Sequence, residues 1–389
     1  MSDSFDSDNG VRDGFTEVTT QSWWDRIMGG FVAALIGLIL VPVAVFVLYW
    51  NEGRAVEAIR ALGRGAAAVV EVSATTLDPA AEGKLVHLSG MLKPGVAAKD
   101  PIFGVSGDGV LRLMRRVEMF QWTEEVTTSS QSNVGGSKTT EKTYNYKKTW
   151  SENAINSANF NARNGHQNPT MPVASQSFAG GDVRLGVYKV ATPLVERLSA
   201  FSRLQPTATA PAGYQAAGDG FYRGQSPADP AVGDVRVSFT AVPAQNVSVA
   251  AGVSGGTLVP YRDTTGYTIA LVAPGDASAA NLFRDEAKSE GVLTWILRGV
   301  GFLGVLIGFV CMTRPLTMLA AVLPILADIV GIGGFLVALT LSVPITLLTI
   351  SIAWIVHRPL IGVGLLVAAI AGFALLRWMT PARRAVLAR

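Results

Sequence analysis

The chain has 389 residues, of which 49% are hydrophobic and only 16% charged, with a formal net charge of +3. A soluble domain usually carries about 25% charged residues, so an ordinary soluble enzyme fits poorly. The small basic excess forms no stripe interleaved with aromatics and gives no case for a nucleic-acid partner; the single cysteine, Cys311, excludes a disulfide framework and cysteine metal centres.

Residues 1–27 form an acidic tail, with Asp3, Asp6, Asp8, Asp13, Glu17 and Asp25 against Arg12 and Arg26, and are expected to be disordered. Residues 28–50, Met28 to Trp50, then run without Asp, Glu, Lys or Arg. A bilayer core needs roughly 20 apolar residues in a helix, so this run reads as the first transmembrane helix. The acidic flank and the long apolar core argue against a cleaved signal peptide, which starts basic. Tyr49 and Trp50 suit the headgroup layer.

Residues 51–294 read as a large extramembrane domain. Asn51 to Gly65 predicts a short membrane-proximal helix. Strand patterns then dominate, over Ala67–Thr76, Lys84–Leu92, Val110–Val126, Lys142–Trp150, Asp234–Val242 and Tyr267–Ala273. From Asp234 to Phe239 apolar and polar residues alternate, as in a half-buried strand. The polar run Thr127–Glu141 predicts a long hairpin tip, with a binding loop as the alternative. Thr192-Pro193 fits a helix start with Leu194, Leu198 and Phe201 on one face. Asp276 is expected to cap the helix leading into the second span.

Residues 295–379 are expected to hold three more transmembrane helices, about Trp295–Thr313, about Ile329–Val356 and about Pro359–Met379. An interfacial segment near 315–328 is closed by Asp328, because an acid deep in lipid is expensive. Residues 380–389 form a basic tail. Four spans put both termini on one side, and the terminal arginines assign that side to the cytoplasm, leaving the large domain outside it. The predicted class is an α+β membrane protein with four transmembrane helices, one N-terminal and three C-terminal, and a β-rich extramembrane domain inserted after the first.

Two enzyme-like patterns fail on context. Gly299-Val300-Gly301-Phe302-Leu303-Gly304 matches a dinucleotide fingerprint but lies within a membrane span, with no strand before it. Gly301, Gly304 and Gly308 there read as a helix-packing face instead, where small residues let backbones approach. Gly252-Val253-Ser254-Gly255-Gly256 matches a nucleophile elbow, yet another strand follows, so a hairpin turn is expected. His87 and His166 are far apart and show no ligand spacing. No catalytic, cofactor-binding or metal-ligating set is expected. In Arg115-Arg116-Val117-Glu118 a paired structural cluster is expected over a ligand site.

Several stretches together resemble the transmembrane protein 43 family, also called LUMA. They are Asn51-Glu52-Gly53-Arg54, Leu85-Val86-His87, Arg115-Arg116-Val117-Glu118 through Trp122, and Ile155-Asn156-Ser157. The series continues with Gly165-His166, Asn168-Pro169, Gly233-Asp234 through Phe239, Met312-Thr313-Arg314, Pro324, Asp328 and Arg358-Pro359. The words run colinearly over nearly the whole chain after residue 24. The resemblance implies four membrane helices and a lumenal domain between the first two. It implies self-association and the organisation of membrane protein complexes, with eukaryotic relatives in the endoplasmic reticulum and inner nuclear membrane. The Ala/Gly/Arg-rich composition points to a bacterial member, in an inner membrane with the large domain periplasmic. The expected partners are membrane lipids, further copies of the chain and other membrane proteins. A non-enzymatic scaffold is the first reading. An ion channel or channel modulator, resting on Asp328, Arg298 and Arg314, is the second, and a membrane-bound enzyme the third.

Overall fold

The computed structural model describes residues 14–359. The expected fourth span from Pro359 onward and the basic tail 380–389 lie outside the described residues, apart from Pro359 itself.

The described chain opens with β1 (Gly14–Gln21) and α1 (Trp23–Ala68), then β2 (Val70–Glu71), β3 (Leu85–Val96), β4 (Val110–Ser132) and β5 (Lys138–Ser151). Next come β6 (Gln176–Ala179), β7 (Gly181–Leu185), β8 (Tyr188–Val190), the one-turn helix α2 (Thr192–Val195), β9 (Ser202–Arg203), β10 (Gln215–Ala217) and β11 (Gly220–Arg223). The long strands β12 (Val235–Pro243) and β13 (Gln245–Ser254) precede β14 (Thr257–Val259), β15 (Tyr261–Arg262), β16 (Thr268–Ile269) and β17 (Leu271–Pro274). Helices α3 (Ala279–Ala320) and α4 (Pro324–His357) complete it.

The chain divides into two compact units. One is β-rich and takes in β1 up to Thr19, Arg64–Ser130 and Thr140–Arg284. Its first sheet runs β1-β5-β4-β12-β11-β10, with β6 on β4 and β9 on β12. In its second sheet β13 pairs with both β14 and β3, β14 with β8, β8 with β7 and β7 with β3. That circuit closes, so five strands form a small barrel with no free edge among them. Leu88, Leu92, Leu185, Val249 and Leu258 fill it, packed with Leu194 and Leu198 from α2 and its exit. The first sheet has its own core, in which Phe103 stacks on Phe221 at 5.6 Å and meets Phe239 edge-on at 5.8 Å. At Gly255-Gly256 both residues have positive φ, +56° and +70°, between the paired Ser254 and Thr257. That is the mirror-image turn which a two-residue hairpin requires, and the Ser254 motif is therefore a hairpin.

At the end of α1 within this unit, Arg64 Nη2 donates to Asp263 Oδ2 at 2.6 Å, while Asp263 Oδ1 accepts from the backbone N–H groups of Thr265 and Tyr267, each at 2.9 Å. Burial, the largest single influence, pushes this carboxyl up. The hydrogen bonds from Arg64, Thr265 and Tyr267 outweigh it and hold the group down at about 2.

The second unit is helical: Thr20–Gly63, Gln131–Thr139 and the chain from Asp285 onward. α1, α3 and α4 are each long and apolar enough to cross a membrane. Gly304 and Gly308 lie on the side of α3 that meets α1: a Cβ at Gly304 would come 2.9 Å from the Ala44 Cβ, and one at Gly308 2.5 Å from Val41. A Cβ at Gly301 would come 2.5 Å from Leu48. Ala44, Leu48 and Val305 are buried at this seam.

The structure corrects several boundaries. Residues 14–21 of the expected disordered tail form β1, on the edge of the first sheet beside β5, with Phe15 against the Tyr144 ring and Tyr144 donating to Glu17 at 3.0 Å. The membrane-proximal helix is no separate element, because α1 continues unbroken to Ala68. The segment 315–328 is not a separate element. α3 carries on through Pro315 to Ala320, and the break falls at residues 321–323, where Pro324, lacking an N–H, opens α4. Asp328 sits inside α4. The cap at the start of α3 is Ser278 rather than Asp276: its Oγ accepts from Asn281 N at 3.4 Å. The hairpin tip shrinks to residues 133–137, since both arms stay paired beyond it. Within the helical unit that tip is engaged: Arg26 Nη1 donates to the Gly136 carbonyl at 2.7 Å and Gly135 N to the Val322 carbonyl at 3.0 Å.

Candidate functional site

The residues of Asn51-Glu52-Gly53-Arg54 lie on α1 within the helical unit, where the sequence turns from apolar to charged. Glu52 is 2% exposed. An isolated buried carboxylate is costly, so its partners decide whether the helix can pack at all. Arg298 of α3 supplies two charge-assisted bonds, Nε to Oε1 at 2.6 Å and Nη2 to Oε2 at 2.8 Å. Trp354 of α4 donates its indole N–H to Oε2 at 2.8 Å. One carboxylate thus gathers donors from both other helices. The Arg298 guanidinium also lies 4.7 Å from the Trp295 ring and 5.8 Å from Trp354.

The neighbours extend this clamp. Asn51, fully buried, donates Nδ2–H to the Thr294 carbonyl at 3.2 Å, and Arg54 pairs with Glu290 at 2.6 Å. Gly53 is where the His357 ring of α4 comes close, so that a Cβ there would meet Nε2 at 2.9 Å. Arg60 donates to the His357 carbonyl at 2.7 Å, and the Tyr49 ring lies 5.4 Å from the imidazole. Arg358 sits at the end of α4, 5.9 Å from the Trp354 ring, with Pro359 after it. Arg314 and Asp328 are exposed and do not join the clamp. The arrangement has no nucleophile and base in contact. What it does chemically is neutralise charges and fix three helices in register.

The remaining sequence-selected residues fall in the β-rich unit. Arg115 and Arg116, adjacent on β4, point to opposite faces. Arg115 is buried, bonded to Asp100 Oδ2 at 2.7 Å and to the Ala174 carbonyl at 3.0 Å, with Phe103 and Phe178 over its guanidinium. Arg116 faces outward with Glu118, which accepts from Arg236 Nε at 2.7 Å. Asn168 bonds both the N–H and the carbonyl of Trp122, at 2.7 and 2.9 Å, and so pins the strand to the loop. His166 stacks on Tyr146 at 3.9 Å and meets Trp122 edge-on at 4.7 Å, with Nδ1 3.0 Å from the Ala162 carbonyl. Pro169 packs against Gly233, whose φ of +99° needs glycine. Asp234 accepts from the Tyr222 hydroxyl at 2.5 Å; burial first, and then this bond, push the Tyr222 hydroxyl up. His87 lies between Glu71 at 2.6 Å and the Ala277 carbonyl at 2.9 Å. No group of three His, Cys, Asp or Glu suited to a metal ion occurs among the described residues.

Sequence reasoning missed Trp354, Glu290 and Thr294. The signal was there: Glu290, Thr294 and Arg298 recur every four residues, which places them on one helix face.

A family profile described as Transmembrane protein 43 matches residues 119–359. The mouse protein of that name is 34% identical over 339 residues, 84% of each chain. The human protein is 33% identical over 84% of each chain, and the homologue of Drosophila melanogaster is 33% identical over 86% of this chain and 91% of its own. No solved structure matches the chain. The matched residues span α3, α4 and most of the β-rich unit, and the chain is a membrane protein of the transmembrane protein 43 family.

Proposed function

We propose that the protein is a non-enzymatic membrane scaffold that associates with further copies of itself and organises membrane proteins or lipid around a folded β-rich platform. The observation that carries this reading is the Glu52–Arg298–Trp354 clamp, which ties three apolar helices together. Gly301, Gly304 and Gly308 face α1 of the same chain, so self-association uses the outer helix faces, where Ile36, Ile39, Phe46, Val300 and Ile307 are exposed. The channel reading loses one of its three supports, because Arg298 is spent on Glu52. Single-molecule photobleaching of a fluorescent fusion in native membranes tests the scaffold: multi-step bleaching is expected, and uniform single-step bleaching would remove self-association.

For location we propose a bacterial inner membrane with the β-rich unit on the periplasmic face. β1 pairs with β5 in the first sheet, so a cross-link between these two strands tests whether residues 14–21 share the face of the β-rich unit. Thr16 and Thr143, whose hydroxyls lie 3.4 Å apart, are suited to a cystine in a Cys311→Ser background. Oxidative cross-linking in intact cells is expected. Labelling of the two positions from opposite sides would instead mean that Met28–Trp50 crosses once and that β1 belongs to the other face.

A further inference from the structure

A cleft of about 720 Å³ opens on the outward face of the first sheet in the β-rich unit. Its floor follows from the strand register. On β12, Arg236, Ser238 and Thr240 point outward, alternating with the buried Val235, Val237, Phe239 and Ala241. Ser238 pairs with Arg116 of β4 on one side and with Gly220 of β11 on the other. Gly220 has no side chain, and a Cβ there would collide with the Val237 carbonyl, so the floor stays open above Ser238. Thr240 pairs with Arg203 of β9. Arg116 and Arg203 therefore stand on opposite sides of one strand, offset by two residues and about 12 Å apart, with two hydroxyls between them.

The charges in the cleft are not equally committed. Arg236 is held by Glu118 at 2.7 Å and by the Trp150 ring at 4.6 Å, and Glu118 is mostly covered, so this pair is spent internally. Arg116 lies 3.7 Å from Glu118 and 3.3 Å from Glu152, and is more than half exposed. Arg203 is 82% exposed and shares one contact with Asp219 at 3.0 Å. Exposed ion pairs of this kind are weak and exchange partners readily. The lining holds three guanidiniums against two carboxylates, and Glu152 stands against Arg116 just outside it. Guanidiniums match the paired oxygens of a phosphate group, and hydroxyls add donors beneath it.

We propose that this cleft binds a phosphate-bearing ligand, with Arg116 and Arg203 gripping the phosphoryl oxygens over Ser238 and Thr240. The proposal goes beyond the scaffold reading and does not depend on it. The same chemistry would come from a soluble phosphomonoester or from a lipid headgroup. Equilibrium dialysis of the full chain in a non-ionic maltoside detergent measures binding of inorganic phosphate and glycerol 3-phosphate, and flotation with vesicles containing phosphatidic acid measures the headgroup. Saturable binding to a soluble probe assigns a soluble phosphoester, and binding to the vesicles alone assigns the headgroup. In either case Arg203→Ala and Arg116→Ala are each expected to weaken binding about tenfold, while Arg284→Ala, outside the cleft, leaves it unchanged. Circular dichroism checks the fold, and Arg203, being so exposed, leaves little to lose. Absence of saturable binding to all three probes, or unchanged binding in both cleft variants, overturns the proposal.

Discussion

In the β-rich unit Phe103, Phe221 and Phe239 fill the space between strands, whereas in the helical unit Gly301, Gly304 and Gly308 remove it. Water drives the first solution, because burying each large ring takes apolar surface out of water. Lipid offers no such drive between apolar helices, so close backbone approach and polar bonds must do the work. Each unit also ties one arginine to a buried carboxylate. Arg115 reaches Asp100 across 15 residues of chain within a loop and strand, whereas Arg298 reaches Glu52 across 246. The difference teaches that the ion pair of the β-rich unit finishes a core already made by apolar residues, while the helical clamp decides which helices meet and in what register.

Breaking the clamp should have the largest effect. Arg298→Met leaves Glu52 charged and buried and is expected to cost about 4 kcal/mol. Thermal unfolding in detergent should show it, and adding Glu52→Leu should recover most of the loss. An unchanged midpoint for the single variant would show that the clamp is dispensable.

Truncation of a large side chain sharpens the contrast. Phe103→Ala is expected to cost about 3 kcal/mol through the cavity it leaves. Phe46→Ala, at a side chain 66% exposed on α1, should cost well under 1 kcal/mol if that face lies against lipid. Equal losses would mean that Phe46 is packed against protein.

The smallest effect is the pH dependence at Asp263. Its folded carboxyl is held at about 2, below the ordinary value of 3.8. The unfolded chain therefore takes up the proton first as pH falls. The contribution of the Arg64–Asp263 contact is fully present above about pH 4 and fades as pH drops through about 2. Asp263→Asn should flatten that part of the stability curve and leave neutral pH with a smaller, constant deficit. A curve parallel to wild type would contradict the assignment.

The first apolar run was legible because it lacks charge for 23 residues, Met28 to Trp50, and it lies within α1. The continuation of α1 to Ala68 was not, since past Trp50 charged residues interrupt the apolar run and the buried positions no longer keep one period. Strands β4 and β12 showed alternation, with one face buried. Strand β13 did not. Seven successive residues from Val247 to Val253 are buried inside the barrel circuit, so no alternation remains to read. Short strands such as β8 and β9 are set by their partners rather than by local pattern. At the clamp, Glu52 and Arg54 stood out as charges beside an apolar run, but their partners sit more than 230 residues away and could be found only in three dimensions.

The central claim is that the glycine seam closes within one chain while copies associate through other faces. Cysteines at positions 44 and 304 (Ala44→Cys, Gly304→Cys), in a Cys311→Ser background, would sit close enough for a cystine after a small separation of α1 and α3. Native mass spectrometry of the oxidised protein from nanodiscs reads both halves of the claim at once. The account predicts a multi-subunit particle that separates under reducing and non-reducing denaturation alike into single chains, each carrying its own internal cross-link. A strictly monomeric particle, or chains joined to one another through residues 44 and 304, would contradict it.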